Sequence, residues 1–120
     1  MEGPATADLL TVETTELRDG VVLMRLAGEV DMSSADVMAE QFEALASGSK
    51  TAVILDASKV TFMDSTGLHA LVEGKRVLHE AGTQIFLVPS SQVRRVLELV
   101  FPEPVFAARL NSVEEAIAAL

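Results

Sequence analysis

Met63-Asp64-Ser65-Thr66-Gly67-Leu68 joins two segments of opposite character. Before it, Thr51-Ala52-Val53-Ile54-Leu55-Asp56 is a short apolar run with β-branched members, the pattern of a strand covered on both faces. After it, Leu68, Leu71, Val72 and Leu78 recur on one side of a helix, which must begin close to Ser65 or Thr66. The hydroxyls therefore fall at a helix N-terminus, where unpaired backbone N–H groups and the positive end of the helix dipole favour a carboxylate or a phosphate. Capping needs one side chain. Here Asp64, Ser65 and Thr66 supply three, followed by Gly67, a residue that weakens a helix by about 1 kcal/mol relative to alanine. The expectation is that Gly67 leaves the first turn bare, so that another protein's backbone can approach the hydroxyls.

Working outward, the strand before this motif is expected over Ala52 to Asp56, with Ala57 to Met63 as the connection. The helix after it runs to about Ala81 and is closed by Gly82. Ile85-Phe86-Leu87-Val88 reads as a parallel strand stopped by Pro89 and Ser90. Val93, Val96, Leu97, Val100 and Phe101 give the i, i+3, i+4, i+7, i+8 pattern of a packed helix ended by Pro102. Val105 to Ala108 fit a short edge strand, and Ser112 opens a terminal helix that buries Val113, Ala116, Ile117 and Leu120. Upstream, Leu10, Val12 and Thr14 alternate with polar neighbours, and Asp19-Gly20 separates them from the run Val21 to Ala27, the signature of a tight antiparallel hairpin. Gly28 is followed by Glu29-Val30-Asp31, an acidic pair in a loop, and Ser33-Ser34-Ala35-Asp36 matches a capping box. The helix it starts buries Ala35, Met38, Phe42 and Leu45, with Met38 as core filler, and stops at Gly48. Met1 to Asp8 lack periodicity and read as a flexible tail (1–8) before one domain (9–120). The order is an α/β or α+β fold on one mixed sheet: an antiparallel hairpin, then βα units, with about four to five strands and four helices.

Composition excludes several functions. The 120 residues carry a net charge of −9, which disfavours nucleic acid and anionic membrane surfaces and suits a basic protein face. Aromatic content is 4% without Trp or Tyr, so base-stacking platforms are not expected. The absence of cysteine rules out disulfides and thiolate ligands, and two histidines without H-E-x-x-H spacing speak against a metal site. Neither a leader pattern nor an apolar run of about 20 residues occurs, so a cytoplasmic protein is expected, with no cofactor.

Three chemical readings of the motif compete. A serine hydrolase would use Ser65 with His69 or Asp64, but needs a histidine held by a third group and oxyanion donors, and no G-x-S-x-G elbow is present. His69 reads more simply as an exposed first-turn residue. A phospho-acceptor Asp56 would need a later lysine, and none follows Lys75; Asp56 reads as a strand-terminating turn residue. The third reading makes Ser65 the substrate of a kinase and its surroundings a docking surface, without catalytic activity of the chain's own. A phosphate adds about −1.5 to −2 charges beside Asp64. Like unit charges 4 Å apart repel by roughly 1 kcal/mol in water and roughly 4 kcal/mol at an effective dielectric of 20. Since about 1.4 kcal/mol is tenfold in affinity, one phosphate can dissolve a complex without refolding anything.

Gly28-Glu29-Val30-Asp31, Phe62-Met63-Asp64-Ser65-Thr66-Gly67-Leu68 and the element order over residues 9 to 120 resemble the STAS domains, and within them the bacterial anti-sigma factor antagonists. The resemblance implies a partner switch. The unphosphorylated domain binds an ATP-dependent serine kinase that doubles as an anti-sigma factor, the sigma factor is released, phosphorylation breaks the complex, and a PP2C-type serine phosphatase restores it. By position, Ser65 resembles the phospho-acceptor and Thr66 a neighbouring, minor site. Asp31, Asp64, Ser65, Thr66, Gly67 and His69 would form the partner-binding surface, with His69 standing where the family commonly has glycine. STAS domains also serve as non-switching modules of transporters and stress-sensing assemblies, which is the alternative expectation.

Overall fold

The computed structural model describes residues 5–7 in backbone only and residues 9–101, 106 and 110–120 with side chains. Strand β1 (Ala5–Ala7) pairs antiparallel with β2 (Leu10–Arg18), so this part of the expected tail is instead an edge strand. Strand β2 pairs antiparallel with β3 (Val21–Val30) through the Asp19-Gly20 turn, where Gly20 takes the left-handed φ of 79° that glycine adopts without strain. Leu17 drops out of the pairing at a bulge. Parallel pairing then adds β4 (Ala52–Met63) beside β3 and β5 (Gln84–Pro89) beside β4, giving one five-stranded sheet in the order β1-β2-β3-β4-β5.

Two strands outrun their sequence signals. Strand β3 continues through Gly28 and Glu29 to Val30, so Glu29 belongs to the strand and only Asp31 begins the loop. Strand β4 does not end at Asp56. Its apolar alternation breaks where Ser58 and Lys59 are exposed in succession, yet pairing with β3 resumes past this irregularity, from Ala27 with Lys59 to Val30 with Met63.

Helices α1 (Ala35–Ser47), α2 (Ser65–Glu80) and α3 (Ser91–Val100) cover one face of the sheet. Met38, Phe42, Leu68, Leu71, Leu78, Val93 and Leu97 meet Leu10, Val12, Met24, Leu26, Val53, Leu55 and Leu87 there. Helix α4 (Val113–Ala118) covers the other face, where Ala116 joins Val21, Leu23, Ile54, Phe86 and Val88. The Ala52–Leu55 run is thus buried on both sides, Val53 and Leu55 towards one cluster and Ala52 and Ile54 towards the other, while Thr51 is exposed.

Helix α1 buries Ala35, Met38, Phe42 and Leu45, as its periodicity predicts. Its N-cap does not form as expected: Ser34 makes no side-chain capping bond. Gly48 is the C-cap at an ordinary φ of −86°, and Ser49 takes the left-handed φ of 55°. In α2, Val72 is only half-buried, while Gly74 is buried against the Phe42 ring. Ser90 and Ser112 cap α3 and α4 by accepting from Val93 N and Glu115 N, both at 3.1 Å. Val100 is 51% exposed, and of the face expected on α4 only Ala116 is fully buried, because six residues bring fewer than two turns against the sheet. The edge strand expected over Val105–Ala108 lies outside the described residues apart from Phe106, which is buried.

Candidate partner-binding site at the start of α2

Strand β4 delivers Asp64 to the N-cap of α2 with an extended backbone, and its Oδ1 accepts from Gly67 N at 2.9 Å. The Asp64 N–H donates to Val30 O at 3.2 Å, tying the start of the helix to the end of β3. Asp64 alone does the capping. Ser65 and Thr66 are exposed, and their hydroxyls make no hydrogen bond among the described residues. Gly67 contradicts its expected role: it is buried, and a Cβ on it would lie 2.4 Å from Val30 O and 2.8 Å from Val30 Cγ1. Its missing side chain admits the chain's own β3, not a partner's backbone.

On the neighbouring strand end, Asp31 opens the loop to α1. Its Oδ1 accepts from Ser33 Oγ at 2.7 Å and from Ser33 N at 2.9 Å. These bonds, the hydroxyl's foremost, hold the Asp31 carboxyl below the usual carboxylate range. Ser34, 1% exposed, donates its hydroxyl to Glu29 O at 3.0 Å and accepts from Asp31 N at the same distance. The residue read as a helix cap is therefore a buried clasp holding the β3–α1 loop in shape.

Because Val30 pairs with Met63, this loop and the start of α2 lie side by side at one end of the sheet. The structure brings Asp31, Asp64, Ser65 and Thr66 together there, with His69 exposed one helical turn beyond Ser65 and Gly67 buried beneath. Sequence reasoning missed two apolar neighbours. Met32 is 78% exposed beside Asp31, and Phe62 is 43% exposed two residues before Asp64. An apolar residue between Asp31 and Ser33 in a polar turn was the available signal for Met32; Phe62 fell within the expected connection from Ala57 to Met63 and carried no separate signal.

The residues of the hydrolase reading form no hydrogen-bonded pair among the described residues. Asp64 is committed to Gly67 N, and Ser65 and His69 share no hydrogen bond. Asp56 sits within β4 with Oδ1 accepting from Ser58 Oγ at 2.6 Å and Oδ2 lying 3.6 Å from Arg25 Nε. It is a satisfied carboxylate inside the strand, not the turn residue expected. Cavities of about 140 and 270 Å³ flank this Arg25–Asp56 pair on the sheet face opposite α1, and neither is lined by Ser65 or Thr66. No helix among the described residues is long and apolar enough to cross a membrane, and no three acidic or histidine side chains converge as metal ligands there.

An anti-sigma factor antagonist from Mycobacterium paratuberculosis has a similar structure, with 25% identity, a TM-score of 0.80, and coverage of 99% of this chain and 97% of that one. The anti-sigma factor antagonist SpoIIAA in its unphosphorylated form gives 22% identity and a TM-score of 0.74 over 90% of this chain and 94% of its own. The phosphorylated form of SpoIIAA, described as a Bacillus cell fate determinant, gives 24% and 0.70 over 90% and 97%. The family model of the STAS domain matches residues 14–118, from the second half of β2 through the central motif to α4, and the chain belongs to the STAS domain family.

Proposed function

We propose that this chain is an anti-sigma factor antagonist whose Ser65 is the phospho-acceptor of a partner switch. The observation that carries the reading is the division of labour at the start of α2: Asp64 caps the helix, which leaves the exposed Ser65 hydroxyl without a structural task among the described residues. Similar proteins support it, since SpoIIAA exists in an unphosphorylated and a phosphorylated form. In the unphosphorylated state, the surface formed by Asp31, Asp64, Ser65, Thr66 and His69 binds a basic face on an anti-sigma factor that is also an ATP-dependent serine kinase. Gly67 contributes by letting α2 start against Val30. Phosphate on Ser65 adds negative charge beside Asp64, and stripping water from that strongly hydrated group in a close-packed contact costs more than the basic face returns, weakening the complex. A PP2C-type phosphatase resets it, Thr66 is at most a minor acceptor, and the chain has no catalytic activity of its own.

Incubation with ATP and the candidate kinases of the source organism, followed by peptide mass spectrometry, tests the proposal. One phosphate on Ser65, removed by a PP2C-type phosphatase, is expected. Ser65→Asp should weaken the kinase complex by tenfold or more, and Ser65→Ala should bind without being switched off. Equal affinities for the two variants would sink the switch and leave a constitutive STAS binding module.

A further inference from the structure

Exposed apolar side chains with no part in the switch gather at the end of the sheet that carries Ser65. Leu9 is 62% exposed, Met32 78% and Phe62 43%, while the large apolar residues around them, Leu10, Val30, Met63 and Leu68, are at most 2% exposed. The topology gathers the three. Leu9 O accepts from Glu29 N at 3.0 Å, and Glu29 pairs with Phe62, so Leu9, Glu29 and Phe62 lie in a row across three neighbouring chain segments. Val30, next in β3, pairs with Met63, and Met32 stands two residues beyond it in the loop beside Asp64 and Ser65. Leu17 sits at the far end of β2, by the hairpin turn, and does not belong to this group.

Single exposed apolar residues are ordinary on a soluble surface; three at the end of the sheet from which α2 and Ser65 start mark an interaction surface. The rim is acidic, with Glu29, Asp31, Asp36 and Asp64, and Lys59 lies two rows further along the sheet beside Ala27. A second copy would bring the same acidic rim against itself on a chain of net charge −9. A protein with an apolar depression bordered by Lys or Arg meets both features.

We propose that Met32 and Phe62 are the apolar anchors of the partner complex, seated in such a basic-rimmed depression on the kinase, with Leu9 at the edge. This inference rests on the reading of the chain as an antagonist that binds a kinase. Interface energy concentrates in a few desolvated side chains inside a polar rim, so the anchors hold the complex and Ser65, at their border, controls it. The division explains how one phosphate can govern the complex: the charge enters next to a surface that must lose its water to bind.

The test measures affinity of the unphosphorylated full chain for the kinase by calorimetry, comparing wild type, Met32→Ser, Phe62→Ser and Ser65→Asp at low and high salt. Each serine variant should weaken binding about tenfold or more, by a factor that salt leaves unchanged, because the lost contact is apolar. Met32 is so exposed that its variant keeps the fold, which guards against misreading a destabilised Phe62→Ser; thermal unfolding of both checks this. If Ser65→Asp weakens the complex while both serine variants bind like wild type, the anchors are refuted and the antagonist reading stands. Failure of the wild-type chain to bind any kinase would overturn both. Sedimentation that shows a concentration-dependent dimer lost in Met32→Ser would assign the patch to self-association and overturn the proposal.

Discussion

Replacing Gly67 with alanine tests the geometry on which the site depends. The added methyl would lie 2.4 Å from Val30 O, 2.8 Å from Val30 Cγ1 and 2.9 Å from Val30 C, each well inside van der Waals contact. Two of these neighbours are backbone atoms, and Val30 is fixed by its pairing with Met63 and by the hydrogen bond from Asp64 N. Helix propensity alone argues the opposite outcome, since alanine is about 1 kcal/mol better than glycine inside a helix. Overpacking a fixed site costs about 1–3 kcal/mol, and the contact to Val30 O requires a shift of about 1 Å, so the upper half of that range applies. The net expectation is a loss of about 1–2 kcal/mol, because the steric cost exceeds the propensity gain. Urea unfolding of wild type and Gly67→Ala should therefore show a lower midpoint with an unchanged slope. Thermal unfolding should show a melting temperature lower by roughly 3–10 °C. The strain also pushes the first turn of α2 away from β3, so Ser65 phosphorylation by the cognate kinase should slow. A variant as stable as wild type or more so would refute the close approach of α2 to Val30, and with it the claim that Gly67 serves internal packing.

Ser34→Ala removes the clasp between Glu29 O and Asp31 N, leaving a part-buried carbonyl and a part-buried N–H without that partner; a loss of about 1–2 kcal/mol by urea unfolding is expected, and one below about 0.5 kcal/mol would return Ser34 to a surface role. Asp31 titrates below the ordinary carboxylate range because the Ser33 hydroxyl and N–H bond its charged form. Its folded pKa is depressed, so its contribution to stability is fully present above the unfolded value of 3.8 and is lost as the pH falls through the lower folded value. Carboxyl-carbon NMR titration should show this pKa rise in Ser33→Ala, and an unchanged value would mean that the hydroxyl is not its cause.

Much of this protein is written in its local sequence. Alternation in Leu10–Thr14 and Asp19-Gly20 specify the hairpin, since side-chain period and turn chemistry are properties of a few adjacent residues. The period of Ala35, Met38, Phe42 and Leu45 specifies the buried face of α1 for the same reason. Asp64-Ser65-Thr66 at a strand-to-helix junction was enough to place the start of α2, because Asp, Ser and Thr are the residues that cap a helix N-terminus. What remained hidden depends on neighbours distant in the chain. The second half of β4 is held by pairing with β3 where its own alternation fails, and β1 exists because β2 offers it an edge. Val100, Ile117 and Leu120 keep a helical period, yet only the placement of α3 and α4 decides that they face outward. Gly67 reads from sequence as an opening, and becomes a contact only when Val30 is brought against it. Residue spacing determines which side chains share a face; which face is covered, and which is left to a partner, is decided by long-range packing.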